Sequence, residues 1–245
     1  MRRSHPEARH SLLKYYATAA ILKTVIMPIT IRLATTEQDR QRVFRFRYGI
    51  YVQEMGRPQT YADHTGRTFE EPLDKTGRTF FAEDERGHVV GTVRTNYGRD
   101  TDFGDYAALY GMECAGGCYP ERVSITTKLM VSPKYRTGTL CCRLSIAGFR
   151  CALVDGILFD FIDCNPHLED TFQRLGYRRY TGRIQHPEYG DVLPLVLLLT
   201  DLDHFERVGS PFARVCREAF PHLAANRKMQ DRLAAFHTAH QLQPA

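Results

Sequence analysis

The stretch from Arg122 to Gly156 carries the residue types of a phosphate-binding turn. Arg122-Val123-Ser124-Ile125-Thr126-Thr127-Lys128-Leu129-Met130-Val131 is β-branched and apolar with few breakers, so it reads as a strand. Ser132-Pro133-Lys134-Tyr135-Arg136-Thr137-Gly138 follows. The proline cannot donate to a ladder and ends the strand, and Gly138 permits a tight turn. Leu140, Leu144, Ala147 and Cys151 then recur at helical spacing, with Arg143 and Arg150 on another face. A strand, a basic loop and a helix in that order aim loop N–H groups and a helix N-terminus at one electropositive point, which suits a phosphate. The same residues also fit a plain strand-to-helix turn with surface arginines.

The elements around this stretch predict a mixed α/β sheet. Ile29 to Leu33 reads as a first strand. Thr36 then caps a helix whose first turn holds Glu37 and Asp39, and Gly56 and Pro58 end it. Residues 57–78 read as a long polar loop, a kind that often carries function. Thr79 to Glu83 and Val89 to Thr95 form a hairpin around Asp84 to Gly87. Residues 98–120 show little regularity. Ile157 to Ile162 is a strand, His167 to Leu175 a helix closed by Gly176, and Val192 to Leu199 a final apolar strand. Ser210 and Pro211 open a helix whose face is marked by Phe212, Val215, Ala219, Phe220 and Leu223, and a second helix is expected over Ala225 to Gln241.

Length and composition exclude several classes. The 245 residues suffice for one large domain plus extensions, and 43% hydrophobic with 25% charged residues is ordinary for a globular protein. No apolar run is long enough to span a bilayer. Of the net charge of +5, four charges lie in residues 1–28, so no basic footprint for nucleic acid is left on the rest. That leader could form a short basic amphipathic helix. Lys23 interrupts its apolar run and no small-residue cleavage site follows, which argues against a signal peptide. The seven cysteines form no paired Cys-x-x-Cys or Cys/His set, so neither zinc nor a disulfide framework is expected, and a reducing cytoplasm fits.

Strand, Pro-x-Tyr-Arg, Gly, helix resembles the acyl-donor motif of the GCN5-related N-acetyltransferase (GNAT) superfamily, and the element order matches that fold. Phe46-Arg47-Tyr48-Gly49-Ile50-Tyr51-Val52-Gln53-Glu54-Met55-Gly56 resembles the first helix of acyl-homoserine-lactone synthases and the related N-acyl amino acid synthases. Gly176-Tyr177-Arg178-Arg179-Tyr180 and His186-Pro187-Glu188-Tyr189-Gly190 resemble a segment of the N-acyl amino acid synthases. The resemblance implies a GNAT-like N-acyltransferase domain over residues 29–205, the leader 1–28 before it and a helical extension over 206–245. It implies transfer of a long-chain fatty acyl group from a phosphopantetheine thioester to the amine of an amino acid, with no permanently bound cofactor.

The same resemblance assigns roles. Leu129, Met130 and Val131 would present backbone N–H to the thioester carbonyl, and Asn165 would lie beside the pantetheine. Lys134, Arg136, Thr137 and Gly138 would receive the phosphate. Thr139 and Cys141 stand where enzymes using coenzyme A keep glycines, which favours acyl carrier protein as donor, its acidic surface meeting Arg143 and Arg150 as well. Phe172 replaces the tyrosine that often protonates the leaving thiolate. Glu71, Asp74 and Arg94 match charged positions of the homoserine-lactone synthases. Arg94 would bind the substrate carboxylate and Asp74 or Glu71 the ammonium, or else Asp74 and Arg94 pair with each other to fix the loop. Arg47, Thr126 and Thr127 would line the acceptor side. His186, with Glu188 beside it, is a candidate base. An acidic residue that lactone synthases keep in the central strand is replaced by Ile125-Thr126-Thr127, so lactone formation is not expected. A coenzyme A-dependent acetyltransferase and a catalytically silent thioester-binding domain are the alternatives.

Overall fold

Each element follows from local chemistry. The computed structural model describes residues 29–219 and Phe236. The expected leader helix lies outside those residues, as do residues 220–235 and 237–245, which carry the rest of the expected C-terminal helices. The first strand, β1 (Thr30–Leu33), leads into α1 (Glu37–Tyr48), where the Thr36 hydroxyl accepts the Asp39 N–H at 3.1 Å. The helix then widens into a π-turn over Gly49–Glu54, with the Met55 N–H reaching the Ile50 carbonyl. Such turns shift the side chains that follow off the regular helical face.

The region expected as loop has structure of its own. It contains a small hairpin, β2 (Ala62–Asp63) and β3 (Thr68–Phe69), and a 3₁₀ turn over Pro72–Lys75. The hairpin β4 (Arg78–Glu83) and β5 (Val89–Tyr97) comes next. Residues 98–120 hold α2 (Asp105–Leu109) and a 3₁₀ segment over Met112–Cys118. They are ordered by burial rather than by periodicity, since Phe103, Tyr110, Met112 and Cys118 pack against the sheet.

The central unit is β6 (Val123–Val131), α3 (Leu140–Val154) and β7 (Phe159–Cys164). β7 begins two residues later than the sequence suggests. The Ile157 N–H closes the end of α3 on the Ala152 carbonyl, and the Leu158 N–H bonds Arg122 O before the ladder starts. α4 (Glu169–Leu175) ends at Gly176, whose φ of 110° takes the left-handed cap. A side chain at Gly176 would also meet the Phe205 ring at 2.7 Å. β8 (Arg178–Arg179), β9 (Ile184–His186), β10 (Gly190–Leu198), α5 (Leu202–Arg207) and α6 (Phe212–Ala219) complete the described chain.

Eight of the described strands form one sheet in the order β1-β4-β5-β6-β7-β10-β8, with β9 on β10, while β2 and β3 pair only with each other. Neighbours are antiparallel except β6 and β7, which the α3 crossover makes parallel. One face packs under α3 to α6, with Phe149, Leu153, Leu195 and Phe205 at its centre. The other packs under the 98–120 segment. Phe212 stacks on Phe149 at 4.2 Å, and Val215 and Cys216 share that core. The described part of the C-terminal segment therefore contributes side chains to the core on this face of the sheet.

Candidate active site

The two central strands part, and the parting makes the cleft. β6 pairs with β7 only at Val123–Phe159, Ser124–Asp160 and Ile125–Phe161. Beyond that the strands diverge around a cavity of about 160 Å³, lined on one side by Thr126 to Leu129 and on the other by Ile162 to Asn165. The Ser132 N–H bonds Val90 O across to β5, so by alternation the Leu129 and Val131 N–H groups face the gap. Val131 O faces it too and accepts from Arg136 Nε at 2.9 Å. Of the three expected backbone donors Leu129 lines the cavity, Val131 packs in the core with Val90 and Leu140, and Met130 lies opposite Thr92 on β5.

A bulge in β6 sets the chemistry of that wall. Thr92 pairs with Met130 but Arg94 pairs with Thr127, so Lys128 and Leu129 together oppose Val93. Lys128 takes a φ of 56°, an uncommon conformation for a residue with a side chain. Its Nζ lies 2.5 Å from Glu71 Oε1 and 2.7 Å from the Tyr189 hydroxyl, over the rings of Tyr51, Phe69 and Tyr189 at 4.9 to 5.3 Å. An ammonium has three donors, and these two partners use two.

Behind Lys128 lies a buried ion network. Asn96 Nδ2 holds the 3₁₀ turn through Leu73 O at 2.7 Å. Within that turn Asp74 Oδ2 accepts the Glu71 N–H at 2.8 Å. Asp74 Oδ1 then sits 2.6 Å from Arg47 Nη1 and 3.0 Å from Arg94 Nη1. Arg94 Nη2 donates to Glu71 Oε2 at 2.8 Å and to Thr127 Oγ1 at 3.0 Å. The side chains of Arg47 and Arg94 are 0% exposed, so neither opens on the cleft. Five of the expected acceptor residues (Glu71, Asp74, Arg94, Arg47 and Thr127) therefore meet in one network, and it touches the cavity through Thr127 and Lys128.

The protonation states follow from burial and neighbours. Burial alone would raise Asp74, but the Arg47 and Arg94 guanidiniums overcome it and hold the carboxyl at about 2. Glu71 is likewise held below its ordinary range, burial being outweighed by Lys128 and Arg94. Burial, helped by Arg94, lowers Lys128 against the pull of Glu71. The network brings three basic and two acidic side chains together, so with Lys128 protonated it carries one surplus positive charge beside the cavity.

The opposite wall carries an acid. Asp163 lines the cavity, and burial raises its carboxyl against the opposing influence of His186. His186 is buried and stacks on Tyr189 at 4.4 Å. Its Nδ1 accepts the Glu188 and Tyr189 N–H groups at 3.1 and 3.3 Å. That assignment puts the proton of the neutral ring on Nε2, so the candidate base has a donor, not an acceptor, to offer. Burial lowers its pKa as well. Glu188 is half-buried beside it.

On the donor side, Lys134, Arg136, Thr137 and Gly138 are all exposed in the loop before α3. Gly138 is not needed for the turn, because a Cβ there meets nothing closer than Tyr135 O at 3.6 Å. Arg136 also pairs with Glu54 at 2.5 Å, Arg143 donates to Ile29 O and Arg150 reaches Glu218. Asn165 and Phe172 both line the cavity. The functional candidates that sequence reasoning missed are Lys128, Asp163, Tyr51 and Tyr189. For Asp163 a signal existed: an acid closing an apolar strand two residues before Asn165.

Comparisons with known proteins place the fold. No family model matches the sequence, and no curated protein matches it. Among solved structures the chain is similar to TofI in a ternary complex with an inhibitor and MTA, with TM-score 0.57 and 14% identity over 78% of this chain and 100% of that one. It is similar to FeeM, an N-acyl amino acid synthase from uncultured soil microbes, with TM-score 0.56 and 15% identity over 77% and 98%. It is also similar to BjaI, a CoA-dependent acyl-homoserine lactone synthase with SAM and isopentyl-CoA, with TM-score 0.55 and 19% identity over 76% and 90%. The chain has the GNAT-like fold of these neighbours.

Proposed function

We propose that this protein is an amide-forming acyltransferase that moves a fatty acyl group from a phosphopantetheine thioester to the amine of an amino acid. The observation that carries the reading is the unbalanced charge of the buried network. One surplus positive charge, offered to the cleft through the third donor of Lys128, suits the carboxylate of an amino acid. Arg94, Asp74 and Arg47 then serve by holding Glu71 and Lys128 in place. Asp163 on the facing wall holds the ammonium and takes its proton, and Glu188 adds negative charge at the rim. Thr126 and Thr127 complete the wall between the two substrates.

The neutral amine attacks the carbonyl carbon, whose oxygen is met by the Leu129 or Val131 N–H. The C–S bond breaks, the nitrogen gives up its second proton to solvent as the amide forms, and the sulfur leaves as thiolate. With Phe172 where an acid would stand, solvent protonates it, which a thiol of ordinary pKa near 8.5 tolerates. Asn165 holds the pantetheine arm. Holding both substrates in one cleft supplies much of the rate.

The thinned glycine loop and the exposed Lys134, Arg136, Arg143 and Arg150 support acyl carrier protein as donor. Phe172 also suits a catalytically silent thioester-binding domain, and one experiment separates the two. Lipids are extracted from a bacterium producing the protein or its Lys128→Met variant and read by mass spectrometry. A new N-acyl amino acid that the variant makes in much smaller amount is expected. An unchanged lipid profile would sink the acyltransferase reading.

A further inference from the structure

The cavity does not end at the reacting centre. It runs under α3, past Gly148 and Ala152, to Leu197 of β10 and Leu199 just after that strand. Those are walls for an alkyl chain. At its inner end, however, lies Asp160, a carboxylate only 5% exposed inside an apolar core. A buried acid without an opposite charge is expensive to keep. Among the described residues no cation is bonded to it, and the transfer chemistry above gives it no task.

Asp160 is held by three hydroxyls. Its Oδ1 accepts from Ser124 at 2.5 Å and from Thr126 at 2.9 Å, and its Oδ2 accepts from Tyr177 at 2.6 Å. Thr126 in turn meets the Thr95 hydroxyl at 3.0 Å. Two carboxylate oxygens offer about four acceptor sites, so three donors leave one, on Oδ2. Asp160 and Tyr177 both line the cavity, so the remaining site can be reached from it. Burial, only partly offset by these hydroxyls, pushes the carboxyl up to about 6.

We infer that Asp160 is a specificity residue that selects acyl chains carrying a hydroxyl group far from the thioester. The inference rests on the acyltransferase reading for the direction of the chain but adds a substrate class to it. The chain hydroxyl donates to Asp160 Oδ2 beside Tyr177. Its position is set by geometry. With the thioester carbonyl at Leu129, Thr126, which touches Asp160, is three residues away along a strand that the bulge shortens, roughly 7 to 10 Å. A hydroxyl at the third carbon would stop well short of it. An unsubstituted chain places methyl and methylene groups against a carboxylate and leaves it one donor short.

The test compares 8-hydroxyoctanoyl, 3-hydroxyoctanoyl and octanoyl thioesters, each on coenzyme A and on acyl carrier protein. Affinity is measured by calorimetry without acceptor, and transfer to pooled amino acids by mass spectrometry. The terminal hydroxyl is expected to tighten binding at least tenfold over octanoyl, and the 3-hydroxyl by less than threefold. In Asp160→Asn, where an amide replaces one acceptor oxygen, the tenfold ratio should fall below threefold. In Tyr177→Phe, which leaves both oxygens, it should persist. Should Asp160→Asn not fold, the wild-type ratio and Tyr177→Phe still decide. Equal affinity for 8-hydroxyoctanoyl and octanoyl, or a preference for the 3-hydroxyl, overturns the inference. Selective binding without any acyl amino acid product keeps Asp160 as a selector and removes the transferase reading instead. If no thioester binds on either carrier, both readings fall.

Discussion

Replacing Asp74 by asparagine removes one charge from between two arginines that have no exposure to water. The amide keeps one oxygen for Arg47 but cannot accept both from the arginines and from the Glu71 N–H. Two magnitudes bear on the cost. The carboxyl titrates at about 2 instead of 3.8, and at 1.36 kcal/mol per unit that difference is worth about 2 kcal/mol of folding stability at neutral pH. Leaving a buried cation uncompensated costs about 3 to 5 kcal/mol. The larger value should govern, because Arg47 and Arg94 cannot turn to solvent. In a chain of this size it corresponds to a loss of roughly 6 to 20 °C in melting temperature. The pH dependence has a sign. Because the folded pKa is depressed, Asp74 stabilises fully above pH 3.8, and that contribution is lost as pH falls towards 2. Wild type should therefore lose stability through that window more steeply than Asp74→Asn. Denaturant titrations at pH 7 and across pH 4.5 to 2.5 check both points. A change below about 1 kcal/mol at pH 7, with parallel acid profiles, would refute the description of the network as a buried support.

Other outcomes follow from the same geometry. Lys128→Met should raise the acceptor KM about 10- to 100-fold, the scale of one charge-assisted hydrogen bond of 1.5 to 3 kcal/mol, while donor affinity stays within twofold; equal effects on both substrates would contradict the assignment. Gly148 faces the cavity, and a Cβ there would touch only the Thr95 hydroxyl, at 3.3 Å. Gly148→Leu should therefore fold and shift preference to shorter acyl groups, read by competition between chain lengths. Cys164 lines the same cavity, but burial and then the Asp163 carboxylate push its thiol up to about 12. No acyl-cysteine should accumulate, and intact mass after mixing with thioester should show the unmodified chain.

Much of the frame was legible from local chemistry. The Thr36 cap, the Gly176 cap and the strand–loop–helix unit around Pro133 each rest on a residue whose conformational preference is strong. The order of elements then follows from hydrophobic pattern. What stayed hidden depends on contacts far apart in sequence. Nothing in Thr-Thr-Lys-Leu announces a bulge, because the left-handed turn at Lys128 is imposed by pairing with β5 and not by a glycine. Without the bulge Lys128 reads as one more strand residue. The start of β7 was ambiguous for a related reason. Ile157 to Cys164 is apolar almost throughout, and only the ladder with β6 and β10 fixes its register. Glu71, Asp74 and Arg94 were recognised as a set, yet their burial, and so their supporting role, depends on Asn96 pinning the turn against the sheet. Asp160 was invisible as a site residue, since its surroundings come from β6, β7 and the turn after α4.

The central claim is that the cleft between β6 and β7 joins an acyl thioester to the amine of an amino acid. The most direct test incubates the purified protein with octanoyl and palmitoyl thioesters, on acyl carrier protein and on coenzyme A, and all common amino acids. Released thiol is counted and the products are identified by mass. The account predicts an N-acyl amino acid formed in a one-to-one ratio with free thiol, faster from the carrier protein and slowed as salt is added. Thiol released with free fatty acid as the sole product, or no release from thioesters that do bind, would contradict it.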